Sequence, residues 1–77
     1  MSAELLAWIA RRLVDDPDAV RVETEERDDT TVLRLYVAPD DVGKVIGRQG
    51  RLARALRTVV RAGGARAQRR HVLEIVD

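Results

Sequence analysis

The chain has 77 residues and a formal net charge of +1, and its length predicts a single domain, residues 1–77, with a small core. It has no cysteine, which excludes disulfides, and no apolar run approaches the roughly 18 residues of a membrane span, so we expect no membrane insertion. Residues 1–41 hold five arginines and eleven acidic residues, whereas residues 42–77 hold nine basic and two acidic residues, which favours one surface for an anionic partner.

The first predicted element is a helix that begins after Ser2, a suitable N-cap, and ends before Pro17, which cannot continue it. We expect Trp8 to lie in the core, because it stands beside apolar residues that recur at helical spacing. These residues are Leu5, Leu6, Ile9 and Leu13.

Two strands follow the helix. In residues 20–25, apolar or Thr residues alternate with charged ones, and residues 31–37 place Thr and apolar side chains on one face of a second strand. The polar residues 26–29 between the two strands predict a turn. The two strands should therefore form an antiparallel hairpin with one half-exposed strand.

Two helices and a last strand complete the chain. Asp40 or Asp41 can cap a short helix that runs to Ile46, and a longer helix is predicted for residues 51–62, with Gly63-Gly64 as its end or a frayed continuation toward Gln68. Alternation returns in residues 71–76.

The order helix, strand, strand, helix, helix, strand predicts an α+β domain. The second and third strands are joined through two helices, and a crossover of this length allows them to be parallel. We therefore expect a three-stranded mixed sheet with the helices packed on one face.

The segment between the two later helices carries the most chemical information. Gly47 and Gly50 leave the backbone of a tight turn unobstructed, and the free N–H groups of the next helix face that turn. Lys44, Arg48 and Arg51 add positive charge, so a phosphate fits this loop. Two glycines at this spacing also occur in ordinary turns between helices. The basic residues in and beside the loop favour a binding loop over such a turn.

The stretch Val45-Ile46-Gly47-Arg48-Gln49-Gly50 resembles the signature loop of KH domains, and the predicted order of elements is that of the type II KH fold. The whole chain resembles the small bacterial KhpA family. This resemblance implies a protein that binds single-stranded RNA, as an RNA chaperone or post-transcriptional regulator, with the loop holding the sugar–phosphate backbone. We expect it in the cytoplasm, because the sequence shows neither a membrane span nor a signal peptide. The implied RNA-binding residues are Lys44, Ile46, Gly47, Arg48, Gln49, Gly50, Arg51 and Arg54.

The long helix has two distinct flanks. At about 100° per residue, Arg51, Arg54, Arg57 and Arg61 fall within one arc, and we expect the first two to contact phosphates, while the other two are equally consistent with a solvated face. The opposite side has more apolar residues than packing on a small sheet requires. The resemblance implies pairing through this helix, as a homodimer or with a larger KH protein of the KhpB type, and the expected contacts are Ala55, Val59 and Ala62.

Other chemistries find no support in the sequence. The loop lacks the Gly-Lys-Ser/Thr ending of a P-loop, no nucleophilic triad is recognisable, and the single histidine, His71, excludes a histidine-based metal cluster. We therefore expect neither an enzyme nor a cofactor. Two other functions stay open: a dimerising interaction module with secondary RNA affinity, and a helix-turn-helix DNA-binding protein. The latter is disfavoured because the long helix begins Arg51-Leu52-Ala53 and offers no Asn, Gln or Ser near its start for base edges.

Overall fold

The computed structural model describes residues 1–77 and contains three α-helices and three β-strands. The helices are α1 (Ala3–Leu13), α2 (Val42–Ile46) and α3 (Arg51–Arg66), and the strands are β1 (Arg21–Arg27), β2 (Thr30–Tyr36) and β3 (Arg70–Val76). The order α1, β1, β2, α2, α3, β3 confirms the predicted α+β class. None of the helices has the length and apolar character needed to cross a membrane.

The three strands form one mixed sheet with β2 in the centre. Strand β1 pairs with β2 antiparallel, and β3 pairs with β2 in parallel, as the two-helix crossover predicts. Arg27 pairs with Thr30, so only Asp28 and Asp29 form the turn of the hairpin, and Asp28 has a positive φ of 48°. The predicted turn at residues 26–29 was therefore too long.

The core lies between one face of the sheet and the three helices. Leu33, Leu35 and Leu73 point from the sheet into a single cluster of buried side chains. The helices add residues such as Leu6 of α1, Val45 of α2, and Leu56 and Val60 of α3. This arrangement confirms that the helices pack on one face, and it leaves the outer face of the sheet uncovered.

The prediction that Trp8 lies in the core was wrong. Its side chain is 54% exposed, and Leu5, one helical turn earlier, is 46% exposed. The face of α1 that meets the sheet is formed instead by Leu6, Ala7 and Ala10. Leu5 and Trp8 lie on one face of α1, and Leu6, Ala7 and Ala10 lie on the neighbouring face. A sheet of three strands is wide enough to cover only the second face.

The sequence left two ends of α3 open, and the structure supports the continuation past Gly63-Gly64 rather than an end there, because the helix runs to Arg66. A Cβ atom on Gly64 would lie 2.5 Å from the carbonyl oxygen of Arg69 and 2.6 Å from the nitrogen of His71. Glycine is therefore needed at this position so that α3 can approach the start of β3. The chain reverses immediately afterwards at Gln68, which has a φ of 56°.

Asp41 precedes α2, as predicted, but its side chain does not cap that helix. The carboxylate is buried and accepts a hydrogen bond of 3.0 Å from the backbone N–H of Asp16. Asp41 therefore ties the segment after α1 to the start of α2, a contact between residues 25 positions apart that the sequence does not reveal.

Candidate nucleic-acid interface

The loop between α2 and α3 has an unusual backbone. Gly47 and Gly50 have φ values of 78° and 73°, and Gln49 between them has φ 56° and ψ 26°, so three of the four loop residues have positive φ. The N–H of Gly50 donates a hydrogen bond of 3.2 Å to the carbonyl of Gly47 and closes the turn. This conformation explains the two glycines, since positive φ costs little without a Cβ atom.

Gly47 meets a second constraint that Gly50 does not. A Cβ atom on Gly47 would lie 2.7 Å from Cβ of Leu52, in the first turn of α3, whereas a Cβ atom on Gly50 would meet nothing within 4 Å. Gly47 thus allows the close approach of α2 and α3, and Gly50 serves only the backbone conformation. As the N-cap of α3, Gly50 offers no side-chain oxygen to the first-turn N–H groups.

The side chains of the loop face solvent. Arg48 and Gln49 are exposed, whereas Val45 just before them is fully buried and Ile46 is half-buried. Arg51 donates a hydrogen bond of 3.3 Å to Oε1 of Gln49. The structure therefore places the predicted residues 46–51 together on one protrusion, with its apolar base in the core and its polar tip free.

Lys44, expected to add positive charge at the loop, is held by two carboxylates of the chain. Its Nζ lies 3.3 Å from Oδ2 of Asp15 and 3.7 Å from Oδ1 of Asp41. Asp15, and to a smaller extent Asp41, raise the pKa of Lys44 above its usual value. Lys44 balances the buried Asp41 carboxylate, so a phosphate would have to compete with two acidic residues for it.

The arginines on the predicted basic flank of α3 are all exposed, and none forms an ion pair with a carboxylate of the chain. Arg54 lies nearest the loop among those after Arg51, and its Nη2 donates a hydrogen bond of 2.9 Å to the backbone carbonyl of Gln49. The row leads away from the loop along one side of the helix. It consists of Arg51, Arg54, Arg57 and Arg61.

The opposite flank of α3 exposes the residues expected at an interface, Ala55, Val59 and Ala62, and Val59 is 49% exposed. The structure adds neighbours from α1 that sequence reasoning missed. Val59 and Ala62 line a surface cavity together with Met1 and Leu5, and Trp8 lies one turn beyond Leu5 on α1. The surplus of apolar residues on α1, Leu5 and Trp8 three positions apart, was the signal that could have found them.

A Gly-x-x-Gly loop between two helices, set beside a three-stranded mixed sheet in the order αββααβ, defines a KH domain. The family model described as the KH domain of KhpA and KhpB matches residues 3–75. The chain therefore belongs to the KhpA/KhpB KH-domain family.

Several relatives cover nearly the whole chain. RNA-binding protein KhpA of Treponema pallidum is 51% identical over 77 residues, which is 100% of this chain and 96% of that protein. RNA-binding protein KhpA of Clostridium acetobutylicum is 48% identical over 73 residues, 95% of this chain and 97% of that protein. The protein of the same name from Bacillus subtilis is 47% identical over 74 residues, 96% of this chain and 91% of that protein. No solved structure matches the chain at a significant level.

Proposed function

We propose that this protein binds single-stranded RNA and has no enzymatic activity. The observation that carries the proposal is the exposed Gly47–Gly50 loop with unpaired arginines beside it, at the N-terminus of α3. The KhpA relatives are named RNA-binding proteins, and their similarity extends over almost the whole chain. The proposed role is that of a cytoplasmic RNA chaperone or post-transcriptional regulator.

The loop is suited to the sugar–phosphate backbone rather than to base edges. Its glycines let a phosphate approach the main chain, and the uncapped first turn of α3 presents N–H groups and the positive end of the helix dipole. Arg48 and Arg51 then supply charge, and Gln49 supplies an exposed amide. Ile46 is half-buried and offers an apolar surface to an RNA base next to the bound phosphate, as in other KH domains.

Two further cations belong to the proposed RNA-binding set. Lys44 would exchange Asp15 for a phosphate, since Asp15 is 81% exposed and held in place by little else. Arg54 keeps one terminal nitrogen on the Gln49 carbonyl and has other N–H groups free for RNA. The complete set is Lys44, Ile46, Gly47, Arg48, Gln49, Gly50, Arg51 and Arg54.

A titration with three ligands tests the function. The protein is titrated with fluorescent single-stranded RNA, with single-stranded DNA of the same sequence and with duplex DNA at two salt concentrations. We expect binding to single-stranded RNA that weakens as salt rises, with weaker binding to duplex DNA. Preferential binding to duplex DNA would support the helix-turn-helix alternative, and no binding at all would refute the proposal.

We further propose that the protein forms a homodimer through the exposed apolar flank of α3, with Val59 near the two-fold axis. Val59, with the small side chains of Ala55 and Ala62 beside it, gives an apolar surface that a second helix can approach closely, and a small domain gains stability from such burial. Leu5, which lines the same surface cavity as Val59 and Ala62, extends that surface. The same surface could instead bind a KhpB-like KH protein. In that alternative, pairing with the KH protein is the primary function and RNA binding is secondary.

The substitution Val59→Asp tests the pairing. Because Val59 is already half-exposed in the single chain, the variant should fold, and it should be monomeric because its charge would be buried only in the dimer. Val72→Asp is the matched control, since Val72 is 38% exposed on the outer face of the sheet. Sedimentation of the wild type as a monomer at high concentration would refute the homodimer, and a KhpB-like KH domain can then be tested as partner.

A further inference from the structure

Gln49 adopts a conformation that its side chain does not favour. It is the one non-glycine residue of the loop with positive φ, and the turn hydrogen bonds from Gly50 to Gly47 and from Arg51 to Arg48 close the loop around it without using its own carbonyl. A Cβ atom makes this left-handed region unfavourable, so the surrounding structure must stabilise it. The question is which residue does so.

Arg54 makes the contact that fits this role. Nη2 of Arg54 donates a hydrogen bond of 2.9 Å to the backbone carbonyl of Gln49, which lies five residues earlier in the chain. Arg51 reaches only the side-chain Oε1 of Gln49, at 3.3 Å. A side-chain contact leaves the backbone free to rotate, but a contact to the carbonyl fixes the peptide plane between Gln49 and Gly50. A charged donor also makes this hydrogen bond stronger than a neutral one.

The carbonyl itself gives a second reason. A carbonyl oxygen free to turn toward the loop would repel an approaching phosphate, and the guanidinium of Arg54 engages that oxygen from the α3 side. The neighbouring arginines have no such contact, since Arg57 and Arg61 lie one and two turns further along α3 and neither makes a hydrogen bond to the loop.

We propose that Arg54 is a positioning residue that holds the Gln49 backbone in its left-handed conformation and so preorganises the loop for RNA. The proposal rests on the proposed RNA-binding function for its biological meaning. Its structural content, a loop ordered by Arg54 before any ligand arrives, stands independently. A preorganised loop pays less conformational entropy on binding, so losing Arg54 should cost affinity beyond the loss of one charge.

The first experiment uses no RNA. Amide hydrogen exchange is measured by NMR on the full-length wild type, on Arg54→Ala and on Arg57→Ala, a matched loss of one exposed arginine on the same flank. We expect Arg54→Ala to accelerate exchange at Gly50, whose N–H closes the loop, by about threefold or more, and Arg57→Ala to leave it unchanged. Equal exchange at Gly50 in all three proteins would overturn the proposal.

The second experiment measures RNA affinity as a function of salt. As a residue that both positions the loop and faces a phosphate, Arg54 should cost the protein about three- to tenfold in affinity when it is replaced by alanine, more than Arg51→Ala, together with a salt slope reduced by about 0.7. Arg54→Lys keeps the charge but not the planar guanidinium, so it should recover only part of that loss. Full recovery of both affinity and slope by Arg54→Lys would make Arg54 a phosphate contact only and overturn the positioning role. If the wild type binds no RNA, the proposed function fails, while the exchange result still decides the loop order.

Discussion

The arginines of the sheet and the arginines of α3 have different partners. On the outer face of the sheet, Arg27 and Arg34 both contact the carboxylate of Glu25, at 2.8 Å and 2.7 Å, and Arg34 also lies 3.2 Å from Glu74. Arg21 pairs with Glu23 at 3.3 Å on the same strand. Three of the four arginines of the strands are thus balanced within the chain, and the exception is Arg70 at the start of β3.

On the loop and on α3, no arginine is balanced in this way. The five arginines from Arg48 to Arg61 are exposed and make no ion pair with a carboxylate, and the hydrogen bonds of Arg51 and Arg54 go to uncharged groups of the loop. The contrast teaches that arginine content alone does not locate a nucleic-acid surface. What distinguishes the proposed RNA surface is a row of arginines without acidic partners beside the Gly47–Gly50 loop, which leaves the positive potential for a ligand from outside.

The largest expected effect comes from reversing charge at the loop. Arg48→Asp combined with Gln49→Asp should weaken RNA binding by at least about 100-fold, because two carboxylates would stand where a phosphate binds. Both side chains are exposed, so circular dichroism should show an intact fold. The measurement is RNA affinity by fluorescence anisotropy.

A double substitution at the other end of α3 is the matched control for that variant. Arg66→Asp with Gln68→Asp changes the net charge equally, both side chains are exposed, and Gln68 has the same φ of 56° as Gln49. We expect the control to lose only a few-fold in RNA affinity through the change in overall charge. Similar losses in both variants would mean that net charge, and not the loop, determines binding.

The three glycines around the loop should differ in a graded way. Gly47→Ala meets both positive φ and Cβ of Leu52 at 2.7 Å, so we expect a loss of about 1–3 kcal/mol of stability. Gly50→Ala meets the conformational penalty alone, about 1 kcal/mol. Gly43→Ala, in α2 with open space around it, should be neutral or stabilise the protein by up to about 1 kcal/mol. Urea denaturation measures the series, and a destabilising effect at Gly43 as large as at Gly47 would contradict this account.

The order of elements and the position of the loop could be predicted from sequence, because local signals determine both. Alternation defined β2 and β3, and the glycine spacing with its basic flanks located the loop. Lys44 shows where this reasoning stops. Asp41 lies one helical turn before Lys44, but Asp15 follows α1 and is distant in sequence. The pairing with Asp15 therefore depends on how α1 packs against α2.

Trp8 and Gly64 show the same limit for burial. Helical spacing identifies an apolar face of α1, but how much of that face the sheet covers depends on the width of the sheet, which is a tertiary property. Gly64 was taken as a helix terminator because glycine is common there. Its actual role is to leave space on α3 for the backbone of Arg69 and His71. That role can be predicted only when the start of β3 is known.

Single arginine removals sharpen the comparison between the two regions. Arg51→Ala should lower affinity about two- to fivefold for all RNA sequences alike and reduce the salt slope by about 0.7, as expected for one lost phosphate contact with a single strand. Arg34→Ala should leave the slope unchanged, because its charge is already neutralised by Glu25 and Glu74. A loss at Arg51 that depends on RNA sequence would mark a base contact instead.

The smallest expected effect concerns Glu25 and acid pH. Hydrogen bonds from Arg27, and to a lesser extent Arg34, lower the pKa of Glu25 from 4.5 to about 2. Since the pKa is lower in the folded state, the ionised carboxylate stabilises the fold above pH 4.5, and this contribution is lost as the pH falls toward 2. The melting temperature of the wild type should thus exceed that of Glu25→Gln slightly at neutral pH, and the difference should vanish near pH 2. A difference that does not change with pH would show that the carboxylate charge is not its source.

The same variant tests the contrast from the side of the sheet. Glu25→Gln removes the acidic partner that Arg27 and Arg34 share, so Arg27 loses its carboxylate and Arg34 keeps only Glu74, on the outer face and without a Gly-x-x-Gly loop or a helix N-terminus beside them. If free arginines were sufficient, the variant would gain a second RNA site and a steeper salt slope. We expect an affinity within about twofold of the wild type and an unchanged number of RNA strands bound per chain, because phosphates are held by charge together with a backbone that they can approach closely. A second binding event in a titration of Glu25→Gln would show that missing acidic partners alone create an RNA site.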